Sequence, residues 1–196
     1  MAAAPKPPNF YADDFKRQGF NYYSTGHYHL RNLVFAEMIA RHNPRSVYEI
    51  AGAEGDLAQV LLEHYTSIQR YAWTDFCPDA VDYVTNRLRH IRDRQLSISR
   101  VDAENVSELH FDGADMIVCT ALEHLAHDQE IIKAIPQGTK VALCLPSLMW
   151  DSHLRCFQNW DAITQRYPSL HIRDYVTMGF AKNDYNKKYL LVATKT

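Results

Sequence analysis

The chain has 196 residues and a formal net charge of −2, which fits one α/β domain with a sizeable core. That balance gives no electrostatic footprint for nucleic acid, and no apolar run is long enough to span a bilayer. The opening MAAAPKPPNF lacks the apolar centre of a signal peptide, and Cys77, Cys119, Cys144 and Cys156 form no CxxC pair, so a reduced, cytoplasmic protein is expected.

Residues 1–27 read as a loose leader followed by an aromatic segment with Phe10, Tyr11, Phe15, Phe20, Tyr22 and Tyr23. The run Tyr22-Tyr23-Ser24-Thr25-Gly26-His27-Tyr28 is rich in hydroxyls and carries a glycine hinge, which suits a lid over a binding site as well as packing under the first helix. A helix is expected over 28–42, with Leu30, Leu33, Val34 and Met38 on one face and Pro44 ending it. Strands are then expected at 46–50, 70–74, 96–101, 114–119, 139–145, 170–177 and 188–194. Helices fall between them at 56–66, 78–92, 122–134 and 151–167. Pro78 suits a helix N1 position, with Ala80, Val81, Val84, Leu88 and Ile91 along one face. Such alternation gives a doubly wound, mostly parallel sheet with helices on both faces. The last two strands form a candidate hairpin, and Cys119 and Cys144 fall in apolar runs where a thiol is core packing.

The most informative stretch is Tyr48-Glu49-Ile50-Ala51-Gly52-Ala53-Glu54-Gly55-Asp56. A strand that ends in an acid, turns through small residues and enters a helix is a nucleotide-cofactor loop. Small residues allow close backbone approach, and the helix start offers unpaired N–H groups. Asp75 follows twenty residues beyond Gly55, after a second strand, where a carboxylate can accept from both ribose hydroxyls of an adenosine.

Together these blocks resemble the class I S-adenosylmethionine-dependent methyltransferases over roughly residues 28–196. The family's hydrophobic-acid-hydrophobic-Gly-x-Gly-x-Gly motif is matched by Glu49 and Gly55, with Ala51 and Ala53 in place of two glycines. Asp75-Phe76 is similar to the acid closing strand two, and Asp102-Ala103 to the acid after strand three. The run Thr120-Ala121-Leu122-Glu123-His124 is similar to the strand-four block, and Gly138 to Pro146 to the strand-five block. The resemblance implies a seven-stranded sheet of order 3-2-1-4-5-7-6 with the last strand antiparallel. It implies S-adenosylmethionine as cofactor, with S-adenosylhomocysteine as product. Glu49 and the N–H groups near Gly52 and Gly55 would meet the amino-acid end, Asp75 the ribose and Asp102 the adenine, with Ala51, Phe76, Ala103 and Thr120 also cofactor-binding. Arg31 is either a surface charge or a partner of the cofactor carboxylate, and Asp102 either caps a turn or meets adenine.

A sulfonium is displaced directly, so alignment and exclusion of water matter more than elaborate acid–base machinery. An oxygen or nitrogen acceptor still loses a proton, and His124, then His27, are the candidate bases. Tyr22, Tyr23, Tyr28, Trp150 and His153 are candidate acceptor-binding residues, because loops at the carboxyl ends of strands form the site in such folds. A related quinone-precursor methyltransferase branch binds a divalent ion with Glu-x-x-Glu-His. Thr120 stands where that pattern has its first Glu, and no metal is expected. The expected function is methyl transfer to a small or carrier-linked acceptor, by a monomer or homodimer. The alternative is a non-catalytic module that keeps the fold. A nicotinamide-type fingerprint would need glycine at Ala51 and Ala53.

Overall fold

The computed structural model describes residues 10, 13, 17, 26–111, 113–179 and 186–196. The candidate lid residues Tyr22 and Tyr23 lie outside them, as does most of the loop between the last two strands. Helix α1 (Gly26–Arg41) precedes β1 (Ser46–Ile50), α2 (Asp56–His64), β2 (Arg70–Asp75), α3 (Pro78–Arg87) and β3 (Gln95–Arg100). After β3 come β4 (Met116–Cys119), α4 (Asp128–Ala134), β5 (Lys140–Pro146), α5 (Trp160–Arg166), β6 (Leu170–Gly179) and β7 (Lys187–Lys195). The strands form one seven-stranded sheet of order β3-β2-β1-β4-β5-β7-β6. β1 pairs in parallel with β2 and β4, while β7 runs antiparallel to both β5 and β6. This is the expected topology.

Burial explains the composition of each strand. β1 and β4 are buried at every position, as central parallel strands covered on both faces must be, and they read Ser-Val-Tyr-Glu-Ile and Met-Ile-Val-Cys. Edge strand β6 alternates buried or half-buried with exposed residues along most of its length. One face of the sheet packs Phe35, Ile39, Leu61, Trp73, Val84 and Leu88 under α1, α2 and α3. The other packs Ile50, Ile117, Leu122, Ile131, Leu143 and Tyr167. Cys119 and Cys144 are core thiols, with burial pushing both above the ordinary thiol range.

Three helix expectations change. The buried face of α1 carries Arg31, Asn32, Phe35, Ala36, Met38 and Ile39, whereas Leu30 and Leu33 are exposed. Apolar spacing misled because polar Arg31 and Asn32 turn inward to the site and rotate the face toward Phe35. The helix expected over 122–134 is a 3₁₀ turn at Leu122–His124 followed by α4. Glu104 accepts the backbone N–H groups of Ala126 and His127 at 2.7 and 3.2 Å, which holds the break open. Only the end of the 151–167 segment is helical, capped by Asn159 accepting from Ala162 N at 2.9 Å. Before that, Leu154 N donates to Glu123 O and Phe157 N to Pro146 O, so the backbone groups are satisfied across the fold.

Candidate active site

A cavity of about 1060 Å³ opens at the carboxyl ends of β1, β2 and β4. It is lined by Glu49, Ala51, Gly52, Asp75, Phe76, Asp102, Ala103 and Thr120 on one side, and by Glu123, His124, Trp150, His153 and Lys188 on the other. Arg31 and Tyr28 reach it from α1, and Phe10 and Arg17 from the leader. His27 and Gly55 are not among its lining residues. Gly55 acts from behind, as the left-handed entry to α2 (φ 67°), where a side chain would also crowd Val84 at 3.0 Å.

The β1–β2 side is built by a strained turn. Ala51 and Ala53 have φ values of 53° and 51°, in the left-handed region where an L side chain costs about 1–2 kcal/mol. The turn is held by Gly52 N donating to Thr74 O at 2.9 Å, Gly55 N to Gly52 O at 3.0 Å, and Ala53 N to Asp75 Oδ2 at 3.0 Å. Gly52 is obligatory for another reason: a Cβ there would fall on the indole nitrogen of Trp73. That nitrogen is buried without a hydrogen-bond partner among the described residues.

Asp75 also accepts Cys77 N through Oδ1 at 2.9 Å, so it joins the turn, the end of β2 and the start of α3. Burial pushes its carboxyl up to about 6 against these N–H groups. Glu49 is fully buried, and burial raises its carboxyl to about 8 even though Tyr71 Oη donates to it at 2.9 Å. Asp102 is exposed and accepts Glu104 N at 3.0 Å, so it does cap a local turn while lining the cavity. Arg31 is buried rather than a surface charge. Its Nε and one terminal nitrogen donate to Asn32 Oδ1 at 3.0 and 2.7 Å, and Asn32 donates to Asp56 at 2.7 Å. Asp56 also takes Arg87 at 3.0 Å, so a chain of contacts from α3 through α2 aims Arg31. Asn32 and Asp56 were not foreseen as site supports; polar residues on the core side of a helix were the only signal.

The β4–β5 side is assembled from distant segments. Arg155 donates to Leu122 O and Leu125 O, both at 2.7 Å, and pairs with buried Asp128 at 3.2 Å. This fastens the segment after β5 onto the 3₁₀ turn and brings His153 beside His124, with ring centroids 4.9 Å apart. Their Nε2 atoms face Glu123 Oε1 at 4.0 Å (His124) and 3.7 Å (His153). Lys188, from β7, places Nζ 3.5 Å from the same oxygen. Burial pushes the Glu123 carboxyl up, but the Lys188 ammonium and the two rings outweigh it and hold it low. Burial drives His153 down to about 4, so the ring is neutral near pH 7. Glu123 entered the sequence reading only within the strand-four block and the Glu-x-x-Glu-His comparison, and Lys188 was not singled out; only the sheet brings residues 123, 153 and 188 together. Trp150 is exposed at the cavity mouth rather than packed inside.

The strand order together with this cavity decides the architecture. The fold is that of the class I S-adenosylmethionine-dependent methyltransferases. Solved structures with the same fold include the N-methyltransferase NodS from Bradyrhizobium japonicum WM9 in complex with S-adenosylhomocysteine. It is 14% identical, with a TM-score of 0.71 over 94% of this chain and 98% of that one. The CurJ carbon methyltransferase is 11% identical with a TM-score of 0.70; 90% of this chain matches, spanning 57% of that chain. The mitomycin 7-O-methyltransferase MmcR is 15% identical with a TM-score of 0.66, over 96% of this chain and 60% of that one. No protein-family model and no curated relative matches the sequence. Among the described residues no helix is long and apolar enough to cross a membrane.

Proposed function

We propose that this protein transfers a methyl group from S-adenosylmethionine to an oxygen or nitrogen of a small or carrier-linked acceptor. The observation that carries this reading is the row of acids Glu49, Asp75 and Asp102, one at or just beyond the carboxyl end of each of three adjacent strands, lining one cavity with Arg31. Their chemistry fits the cofactor group by group. Glu49 suits its ammonium, Arg31 its carboxylate, Asp75 its ribose diol and Asp102 its adenine amino group. When bound, S-adenosylmethionine supplies an electrophilic methyl group on a sulfonium.

The chain's own residues do the rest. Each Asp75 oxygen already takes one backbone N–H and keeps acceptor capacity for a hydroxyl. Phe76 beside Asp75 and Ala103 beside Asp102 give apolar contact, and Thr120 a hydroxyl. Tyr28 and Trp150 flank the acceptor, and Phe10 and Arg17 add to the cavity lining. His124 takes the acceptor proton; His27 is the second choice, since it stands outside the cavity lining. The methyl groups of Ala51 and Ala53 favour the rival reading, a non-catalytic module.

Calorimetry with S-adenosylmethionine and S-adenosylhomocysteine is the first test, with micromolar binding expected. Asp75→Ala should weaken binding by about 1.5–3 kcal/mol through loss of charge-assisted hydrogen bonds, with circular dichroism unchanged. Unaltered affinity in that variant removes the ribose assignment. Binding without turnover across a panel of acceptors supports the module instead.

A further inference from the structure

Of the residues of β7, Lys188 alone lines the cavity. Antiparallel pairing sets it opposite Pro146, so the start of β7 lies beside the carboxyl end of β5. Its side chain shares the sheet face of Leu190 and Val192, and the residue is only 9% exposed although it ends in an ammonium. An ammonium withdrawn from water is costly unless its three N–H donors find acceptors. Among the described residues it makes one hydrogen bond, at a long 3.5 Å to Glu123 Oε1. The remaining donors are left for whatever occupies the cavity. Arg31 lines the same cavity, and the two cations act on one region. After burial, Arg31 and then Lys188 push the His27 ring below its ordinary range. A protonated amine entering there meets the same repulsion, and a sulfonium adds to it.

We propose that Lys188 sets the acceptor atom: its ammonium donates to an acidic hydroxyl of the phenol or enol kind, and amines are rejected. This inference rests on the methyl-transfer reading. The acceptor atom must aim a lone pair at the methyl group. A neutral amine has one lone pair, which is occupied if it accepts from Lys188, and a protonated amine has none. A hydroxyl oxygen has two, so it accepts from Lys188 through one and attacks through the other. That second pair forms the O–CH₃ bond, the C–S pair leaves on sulfur as the neutral thioether, and the hydroxyl proton passes to His124. As the proton leaves, negative charge gathers on the oxygen, where a donor already in place stabilises it most. Glu123, from the turn after β4, holds the ammonium there through one contact while the other donors face the acceptor. Lys188 thus touches the substrate and determines specificity.

The test uses para-nitrophenol and para-nitroaniline, which share a shape and differ in the acceptor atom. Each is titrated into the full chain saturated with S-adenosylhomocysteine, by calorimetry and by the absorption band of nitrophenolate. The parent should bind the phenol about tenfold or more tightly than the aniline, with the bound phenol ionising at lower pH than the free one. Lys188→Met should abolish both the preference and the shift in ionisation while leaving S-adenosylhomocysteine affinity near the parent value. Lys188→Arg should keep the preference, and it serves with the parent if Lys188→Met fails to fold, as judged by circular dichroism. Equal affinity of the two probes in the parent overturns the proposal, as does saturable binding of neither. A preference that persists in folded Lys188→Met also overturns it, since another group then reads the oxygen. A parent that binds no S-adenosylhomocysteine, yet prefers the phenol through Lys188, removes the methyl-transfer reading and leaves the oxygen site standing.

Discussion

The two sides of the cavity are made in different ways. The β1–β2 side is local: Glu49, the Ala51–Gly55 turn and Asp75 follow one another in a strand–turn–helix–strand unit, locked by backbone hydrogen bonds. The β4–β5 side is non-local: Glu123, His153 and Lys188 come from three segments and meet through Arg155 and the pairing of β5 with β7. The first side carries strain in its backbone, the second an excess of donors in its side chains. A local motif can therefore be read from spacing, and a cluster of distant residues cannot.

The largest expected effect separates the sides by function. His124→Ala should lower single-turnover methyl transfer about 10²–10⁴-fold while leaving S-adenosylhomocysteine affinity nearly intact. Equal losses of turnover and cofactor affinity would show that the two sides are not independent. Parent-like turnover across pH 6 to 9 would remove histidine catalysis.

Next in size is Gly52→Ala. Its Cβ meets the buried Trp73 ring, and the expected destabilisation is about 3 kcal/mol, read as a lower denaturation midpoint. A Trp73→Phe background removes the indole nitrogen and should recover part of the loss. No effect in either background would mean that the turn yields without cost.

A smaller, pH-dependent effect belongs to Glu49. Its carboxyl titrates near 8 in the folded protein against an ordinary 4.5, so the folded state holds a proton that the unfolded chain has released in between. The stability this contributes is fully present below about 4.5 and is lost as pH rises through 8, with a slope of at most about 1.4 kcal/mol per pH unit. Asp75 acts the same way, but its window closes near 6. Denaturant midpoints of the cofactor-free protein at pH 6 to 8.5 should therefore fall more steeply in the parent than in Glu49→Gln. Parallel slopes would show that burial does not hold Glu49 protonated.

The smallest effect tests the backbone strain. Ala53→Gly relieves a left-handed alanine but loosens the unfolded chain, leaving a net gain of about 0.5–1 kcal/mol. A loss of stability would show that the methyl group packs usefully and that the turn is not strained.

The sequence by itself determined the alternation of strands and helices, the acids at the carboxyl ends of β1 to β3 and the apolar face of α3, while the sheet order came only through the family resemblance. Each depends on residues close along the chain or on an alternation that the backbone enforces. It misjudged the inward face of α1 because Arg31 and Asn32 look like surface residues until Asp56 is placed against Asn32. It also extended two helices through segments whose backbone hydrogen bonds go to Glu104, Glu123 and Pro146 instead. Only the tertiary structure decided that His153 and Lys188 join Glu123 and His124. Their meeting depends on how loops cross between strands and on which strands the sheet sets side by side. No spacing within a single segment carries that information.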